Sequence, residues 1–234
     1  MTSKRSYQPE LIDLGPKFYT QEEYCDCLHQ LARIGRLLGG DQATFKQFSS
    51  IPDIQSILDV GCGGGQFTLK MAQKFPEAQV TGIDICSQAI EFALNRKAEA
   101  KLENVFFEQP LTKELNYPDR FFDVVTATLV CHHMDDVNLI EFLKKSCQIA
   151  AKKVVINDLH RHWLAYQGFS FLAKPLFSNR LIFHDGRLSI KKGFKKADWI
   201  SYLQAANIPL HLCSIKWHWA FRWTVSIDTH LMQR

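Results

Sequence analysis

Ser56-Ile57-Leu58-Asp59-Val60-Gly61-Cys62-Gly63-Gly64-Gly65-Gln66-Phe67-Thr68 is the stretch on which the reading of this chain turns. An apolar run closing near Asp59 reads as a buried strand, the glycines of 61–65 as a turn, and residues 66–74 as a helix. A strand that passes through glycines into a helix N-terminus presents bare backbone N–H groups to a ligand. No Cβ blocks the approach, and glycine accepts φ > 0 where the turn needs it. Spacing separates the nucleotide sites that begin this way. A P-loop needs Gly-Lys-Ser/Thr, whereas Gln66 and Phe67 follow Gly65. The fingerprint G-x-G-x-x-G needs glycine at 66 or 68, which hold Gln66 and Thr68. What remains is Asp59-x-Gly61-x-Gly63-x-Gly65, followed by a strand over 79–83 that ends at Asp84, 19 residues past Gly65. A carboxylate at that strand end is placed to accept both hydroxyl protons of a ribose.

Outward from this stretch, strands and helices alternate. Helix is expected over 87–100, strand over 104–108, strand over 121–128, helix over 137–150 and strand over 153–157. Such βαβ alternation means a mostly parallel sheet with helices on both faces, whose ligands gather at the strands' carboxyl ends. Asp59, Asp84, His132 and Asp158 all fall at or just after such ends. Upstream, residues 1–19 are polar and irregular, and Thr20-Gln21-Glu22-Glu23 has the form of a capping box opening a helix that Gly39-Gly40 ends. Residues 1–50 are therefore expected to form a helical cap, and residues 51–234 the main domain. Downstream, an aromatic-rich helix broken at Pro175 belongs to a lid over 160–196, followed by a helix over 196–206 and strands near 210–216 and 220–228. Trp217, Trp219, Phe221 and Trp223 alternate as one face of a strand would. The cluster Lys191, Lys192, Lys195 and Lys196 reads as a solvated loop.

Composition bounds the class. The chain has 234 residues, 46% hydrophobic and 22% charged, with a net charge of +4, an ordinary globular balance that does not suggest a nucleic-acid binder. Seven cysteines in no framework spacing, no signal core after the first five residues and no membrane-length apolar run point to a cytoplasmic protein with reduced thiols. No metal site is expected. Cys25-x-Cys27-x-His29 lacks a second ligand pair, and nothing in the sequence sets a geometry for His132, His133, Asp158 and His160.

The stretch around Asp59 resembles motif I of the class I S-adenosylmethionine-dependent methyltransferases, and the likeness extends over about residues 50–160. It implies a Rossmann-like, doubly wound, mostly parallel seven-stranded sheet with one antiparallel strand. It also implies that Asp59, Gly61, Cys62, Gly63 and Gly65 pack against the methionine part of S-adenosylmethionine, with Thr128 at the end of the fourth strand. Asp84 and Ile85 then hold the ribose and flank the adenine. Many members of the family place an acid after strand three for the adenine amino group; here that position falls near Leu111, so Gln109, Pro110 and Leu111 are left to hold the ring. Within the family the chain is similar to the ubiquinone/menaquinone-biosynthesis branch. More narrowly it resembles methyltransferases encoded beside type III polyketide synthases, through Cys131-His132-His133-Met134, Ile156-Asn157-Asp158-Leu159-His160-Arg161 and Asp185-Gly186-Arg187-Leu188-Ser189.

A phenol titrates near ~10, so its methylation needs the proton removed, and histidine is the side chain suited to that task at neutral pH. His132 and His133 are the candidate bases, with Asp158 beside them as a hydrogen-bond acceptor. The expected function is methyl transfer to a phenolic hydroxyl of a small aromatic or lipid-like acceptor by a monomer or homodimer. Methylation at carbon or nitrogen, including a quinone ring, stays open, as does a non-catalytic cofactor-binding or partner-subunit protein. An RNA methyltransferase is disfavoured by the lack of an Asn-Pro-Pro-Tyr-type motif and of a basic appendage.

Overall fold

Ile57 and Leu58 are neighbours on one strand, both fully buried, and they point into different cores. That is the signature of a parallel sheet covered on both faces. The computed structural model describes residues 4–112 and 114–232, apart from the side chains of Arg36, Leu37 and Lys174. Strands β1 (Ser56–Val60), β2 (Gln79–Ile83), β3 (Val105–Glu108), β4 (Phe122–Thr128), β5 (Ala150–Leu159), β6 (Cys213–His218) and β7 (Arg222–Ile227) form one sheet in the order β3-β2-β1-β4-β5-β7-β6. Pairing is parallel from β3 through β5. Because β7 runs antiparallel to both β5 and β6, it alone is reversed, as the resemblance implied.

Helices α3 (Gln66–Lys74) and α4 (Ser87–Ala100) cover one face; α5 (Asp136–Ile149) and α8 (Lys196–Ala205) cover the other. On the first face Ile57, Val80, Val124 and Val155 pack with Leu69, Met71 and Ile90; on the second, Leu58, Val125, Val154 and Ile156 pack with Leu139, Leu143, Trp199 and Leu203. The order reverses between β1 and β4, which opens the crevice where such sheets take ligands.

α2 (Gly40–Phe48) covers β5 and β7 on the first face, its Phe48 in that core, and α1 (Gln21–Leu37), α6 (Trp163–Leu176) and α7 (Arg180–Lys192) lie above the carboxyl ends. The capping box forms as read: Thr20 N–H donates to Glu23 Oε2 at 2.9 Å, and Glu23 N–H to Thr20 Oγ1 at 3.1 Å. Tyr19, Tyr24 and Leu28 meet Ala89 of α4 and Leu181 of α7 in a third core.

Four expectations are corrected. Gly39 turns the chain at φ 66° and a second helix follows at once, so the cap is a helix pair. Pro175 lies one residue from the end of α6 rather than breaking it. The alternating aromatics straddle a hairpin: Trp217 closes β6, Trp223 lies on β7, and Ala220 and Phe221 carry φ of 65° and 57° in the turn between. Lys192 is in no solvated loop; it ends α7, buried against Glu10.

The polar amino-terminal segment is ordered by side-chain bonds. Arg5 donates through Nε to Lys192 O (2.9 Å), through Nη1 to the Tyr202 hydroxyl (2.8 Å) and through Nη2 to Met134 O (3.1 Å), and its guanidinium lies 4.2 Å from the Phe194 ring centre. Farther along, the Leu11 and Ile12 N–H groups donate to the carboxylate of Asp185 at 2.8 and 3.1 Å. Residues 4–14 thereby cross α7 and the turn after β4. Among the described residues no helix is long and apolar enough to cross a membrane.

Candidate functional site

The glycine turn closes against β2. Gly61 and Cys62 N–H groups donate to Ile83 O at 2.8 and 3.0 Å, and Gly63 N–H donates to Asp84 Oδ2 at 2.8 Å. Asp84 also receives the Cys86 N–H on Oδ1 at 2.9 Å, and burial, outweighing these bonds, lifts its pKa. Each oxygen keeps a lone pair for a further donor, so the carboxylate can still accept ribose hydroxyls.

Two glycines differ instructively. At Gly65 (φ 70°) a Cβ would lie 2.6 Å from the Phe107 ring, so this position is required by packing. At Gly63 (φ 52°) a Cβ would meet nothing within 4 Å, which leaves a cradle over the strand ends. Asp59 lies beneath, 2% exposed, accepting from the Thr68 hydroxyl at 2.7 Å, with burial pushing its pKa to about 7. It ties the end of β1 to α3 from beneath the turn. Cys62 is half-buried, its thiol held well above its usual pKa by burial.

Beside the cradle, Ile85 is exposed, Gln109 Nε2 donates to Ile85 O at 3.2 Å, and Leu111 is fully exposed with Pro110 next to it. Ile85 and Leu111 thus present exposed apolar side chains beside the ends of β2 and β3. Thr128 Oγ1, at the end of β4, is buried with no partner, as an acceptor or donor awaiting a ligand would be.

The turn after β4 carries the second half of the site. His132 is buried, and Asp158, itself fully buried, grips it twice: Oδ2 accepts the His132 N–H at 3.1 Å and Oδ1 lies 2.8 Å from Nδ1. Asp158 also accepts the Leu159 N–H, and His132 outweighs burial to hold its pKa below the usual carboxylate value. Asp158 therefore positions His132 and has no free edge toward an acceptor. His133 is gripped the same way by a residue the sequence did not suggest, with Nδ1 2.9 Å from Asp13 Oδ1.

Both imidazoles turn Nε2 toward Glu10, at 3.8 Å from Oε1 for His132 and 3.9 Å from Oε2 for His133. Glu10 is 3% exposed; Lys192 Nζ stands 3.2 Å from Oε1, and Ser189 Oγ donates to Oε2 at 3.0 Å. Burial raises the pKa of Glu10 despite His133 and Lys192, whereas at Asp13 the same two partners overcome burial and lower it. His132 and His133 follow β4, which pairs with β1, so the cluster stands at the same end of the sheet as the glycine turn.

Other expected residues lie elsewhere. Asn157 donates to Gly40 O and Thr44 Oγ1, tying β5 to α2. His160 receives a hydrogen bond from Trp217 Nε1 at 3.2 Å and is kept largely neutral by burial, its pKa lowered to about 4. Arg161 pairs with Asp198 at 3.0 Å. The stretch Asp185 to Ser189 acts as a buttress: Asp185 holds the backbone of residues 11 and 12, Gly186 lies under the Phe169 ring, and Ser189 holds Glu10.

Comparison with known proteins identifies a domain within the chain. A model described as a methyltransferase domain matches residues 53–162, the span that holds the glycine turn, Asp84 and both histidines. Those residues are a class I S-adenosylmethionine-dependent methyltransferase domain. Relatives of this methyltransferase domain include the 27-O-demethylrifamycin SV methyltransferase of Amycolatopsis mediterranei, 42% identical over 81 residues, 34% of this chain and 29% of that one. The pavine N-methyltransferase of Thalictrum flavum is 34% identical over 145 residues, 60% and 39% of the two chains. A demethylmenaquinone methyltransferase of Deinococcus radiodurans is 36% identical over 71 residues, 30% and 29% of the two chains. The chain thus spans less than half the length of each of these relatives. Among solved structures, a methyltransferase of Aquifex aeolicus has a TM-score of 0.64 at 15% identity, with 89% of this chain and 98% of that one covered. The plantazolicin methyltransferase in complex with a pentazolic substrate analogue and S-adenosylhomocysteine has a TM-score of 0.68 at 17% identity, with 92% of each chain covered. At these identities the likeness is one of fold.

The cluster around His132 and His133 has members that sequence reasoning missed: Glu10, Asp13, Lys192 and Ser189. One signal was available. Glu10 and Asp13 are acids three apart in an otherwise patternless segment, and Asp185 and Ser189 are polar one helical turn apart.

Proposed function

We propose that this protein transfers a methyl group from S-adenosylmethionine to a hydroxyl of a small aromatic acceptor. The observation that carries the reading is the cluster of Glu10, His132 and His133 beside the Asp84 cradle, with each imidazole oriented by its own carboxylate. When bound, the cofactor supplies an electrophilic methyl group on a sulfonium sulfur. Asp84 accepts the ribose hydroxyls, the turn at Gly63 clears the methionine tail, and the rim of Ile85, Gln109, Pro110 and Leu111 takes the adenine. The chain's task is then alignment and ionisation: the acceptor oxygen must sit in line with the methyl at ~3–3.5 Å and give up its proton. The Nε2 edges of His132 and His133 ionise the hydroxyl, while Asp158 and Asp13 keep those edges in place.

Residues 4–48, α6 and α7 form the cover of the acceptor chamber in this reading. Trp163, Phe171 and Leu172 on α6 are exposed, which suits an apolar acceptor. A C-methyltransferase acting on a phenol-like or quinol ring needs the same ionisation and is the second reading. The N-methyltransferases among the relatives do not share that requirement, because a neutral amine is already nucleophilic.

Calorimetry with S-adenosylhomocysteine, then methyl transfer to a panel of phenols, quinols and amines, tests the proposal. Micromolar binding with product on phenols supports it. Product on amines alone redirects it to nitrogen, and no binding at millimolar ligand leaves a non-catalytic protein.

A further inference from the structure

The geometry of Glu10, His132 and His133 points to a site for a divalent metal ion; we propose that one zinc-type cation binds there through Glu10 and the Nε2 atoms of both histidines. The inference deepens the proposed function, resting on it for the cation's role but not for its binding.

Hydrogen-bond direction makes the first argument. Asp158 and Asp13 are carboxylates and only accept, so Nδ1 of His132, 2.8 Å from Asp158, and Nδ1 of His133, 2.9 Å from Asp13, are the N–H positions. In the neutral rings each Nε2 then carries a lone pair, and each faces an oxygen of Glu10 that also carries lone pairs. Acceptor faces acceptor at 3.8 and 3.9 Å, beyond hydrogen-bond length, and the Lys192 ammonium, 3.2 Å from Glu10 Oε1, answers the carboxylate but neither imidazole nitrogen. A cation between them satisfies all three groups.

Protons are the poorer candidates. The two rings lie 4.2 Å apart, and charging both places like charges face to face in a largely dry site. A single dication leaves both rings neutral. It also balances the region: Glu10, Asp13 and Asp158 are three negative charges, and Lys192, 3.2 Å from Glu10 and 3.3 Å from Asp13, answers one of them. Arg5 is turned to Asp136.

Ligand chemistry and size agree. Two imidazoles and one carboxylate with an open fourth position is a donor set for a catalytic metal, with bonds of ~2.0–2.1 Å that place tetrahedral ligands about 3.3 Å apart. The ligand atoms here all lie within 4.8 Å of one another; each His–Glu pair needs a contraction of about half an ångström and the His–His pair one of at most about 1.5 Å, within reach of side-chain rotations. Each histidine already gives its other ring nitrogen to a carboxylate, the support that metal-bound histidines need. His133 keeps 29% of its side chain exposed, which leaves the ion a way in and the open position a way out toward the cradle. A hydroxyl bound there is acidified by the cation, its proton leaves to solvent water, and the oxygen then takes the methyl as the S–CH3 bond breaks.

The test is equilibrium dialysis of the full chain against zinc, with cobalt(II) as an optical probe. One ion per chain is expected, without the near-ultraviolet thiolate band that ligation by any of the seven cysteines would give. Glu10→Gln should weaken binding at least ~10-fold and Asp13→Asn by about 10–100-fold, both with unchanged affinity for S-adenosylhomocysteine. No stoichiometric ion, a thiolate band, or binding indifferent to Glu10→Gln overturns the site. Full methylation by the chelator-treated chain overturns the cation's role and leaves the methyltransferase reading standing; a bound ion with no methylation of any acceptor supports the site while sinking that reading.

Discussion

The proposed cofactor half and the proposed acceptor half of this site are built on different principles. The first is local: Asp59, the glycines and Asp84 fall within one βαβ unit, and backbone N–H groups do most of the holding. The second is assembled across the chain. His133 meets Asp13 at a sequence separation of 120, and Ser189 meets Glu10 at 179. A local site is specified by spacing, whereas a distant one is specified only by the fold that gathers it. One half can therefore be disabled without the other.

The largest expected separation comes from His133→Ala, which should lower the methyl-transfer rate by about 10²–10⁴-fold with S-adenosylhomocysteine affinity unchanged by calorimetry. Loss of both together would mean that the halves are not independent. Next is Asp59, whose effect is on stability alone. Its folded pKa of about 7 lies above the unfolded value of 3.8, so the native state holds the proton more tightly and stability falls as pH rises from about 4 to 7. The full loss is at most about 4 kcal/mol at 1.36 kcal/mol per pH unit. Melting temperatures of Asp59→Asn should lack this slope, gaining on the wild type between pH 5 and pH 8; parallel profiles would remove Asp59 from its buried role.

Asp84→Ala reverses the first experiment. With two charge-assisted hydrogen bonds of ~1.5 kcal/mol lost, nucleoside affinity should drop about 100-fold while the acceptor cluster stays intact, as read by its metal content. The smallest effect belongs to Leu111→Ala. Leu111 is fully exposed, so the melting temperature should not move, and only a several-fold weakening of S-adenosylhomocysteine is expected. A fall in stability instead would mean that the rim supports the fold.

The same contrast governs what the sequence revealed. The ranges 56–60, 66–74, 79–83 and 87–100 coincide with β1, α3, β2 and α4, because glycine, a buried apolar run and a strand-end acid each act within a few residues. Asp84 and the two histidines could be found by position alone. Glu10 could not: it lies in a segment without periodicity, and its place is set by Arg5, Asp185 and Ser189, bonds that exist only after α7 has packed. Lys192 read as solvated because basic runs usually are, yet an ion pair with Glu10 and Asp13 draws it inward. Gly39-Gly40 ends α1 as read, but the left-handed Gly39 also lets a second helix start at once, which no residue of 40–48 announced.

The grip of Arg5 also bears on how the protein is handled. Its guanidinium bridges α7, α8 and the turn after β4, holding residues 4–14 over the acceptor cluster. In the proposed reading residues 4–14 are thus a wall of the acceptor chamber. A peptide joined ahead of residue 4, whether a purification handle or a fused partner, emerges beside that wall, and its bulk and charge enter the traffic of acceptor and product. Handles placed at the two ends of the chain are therefore not equivalent for turnover measurements.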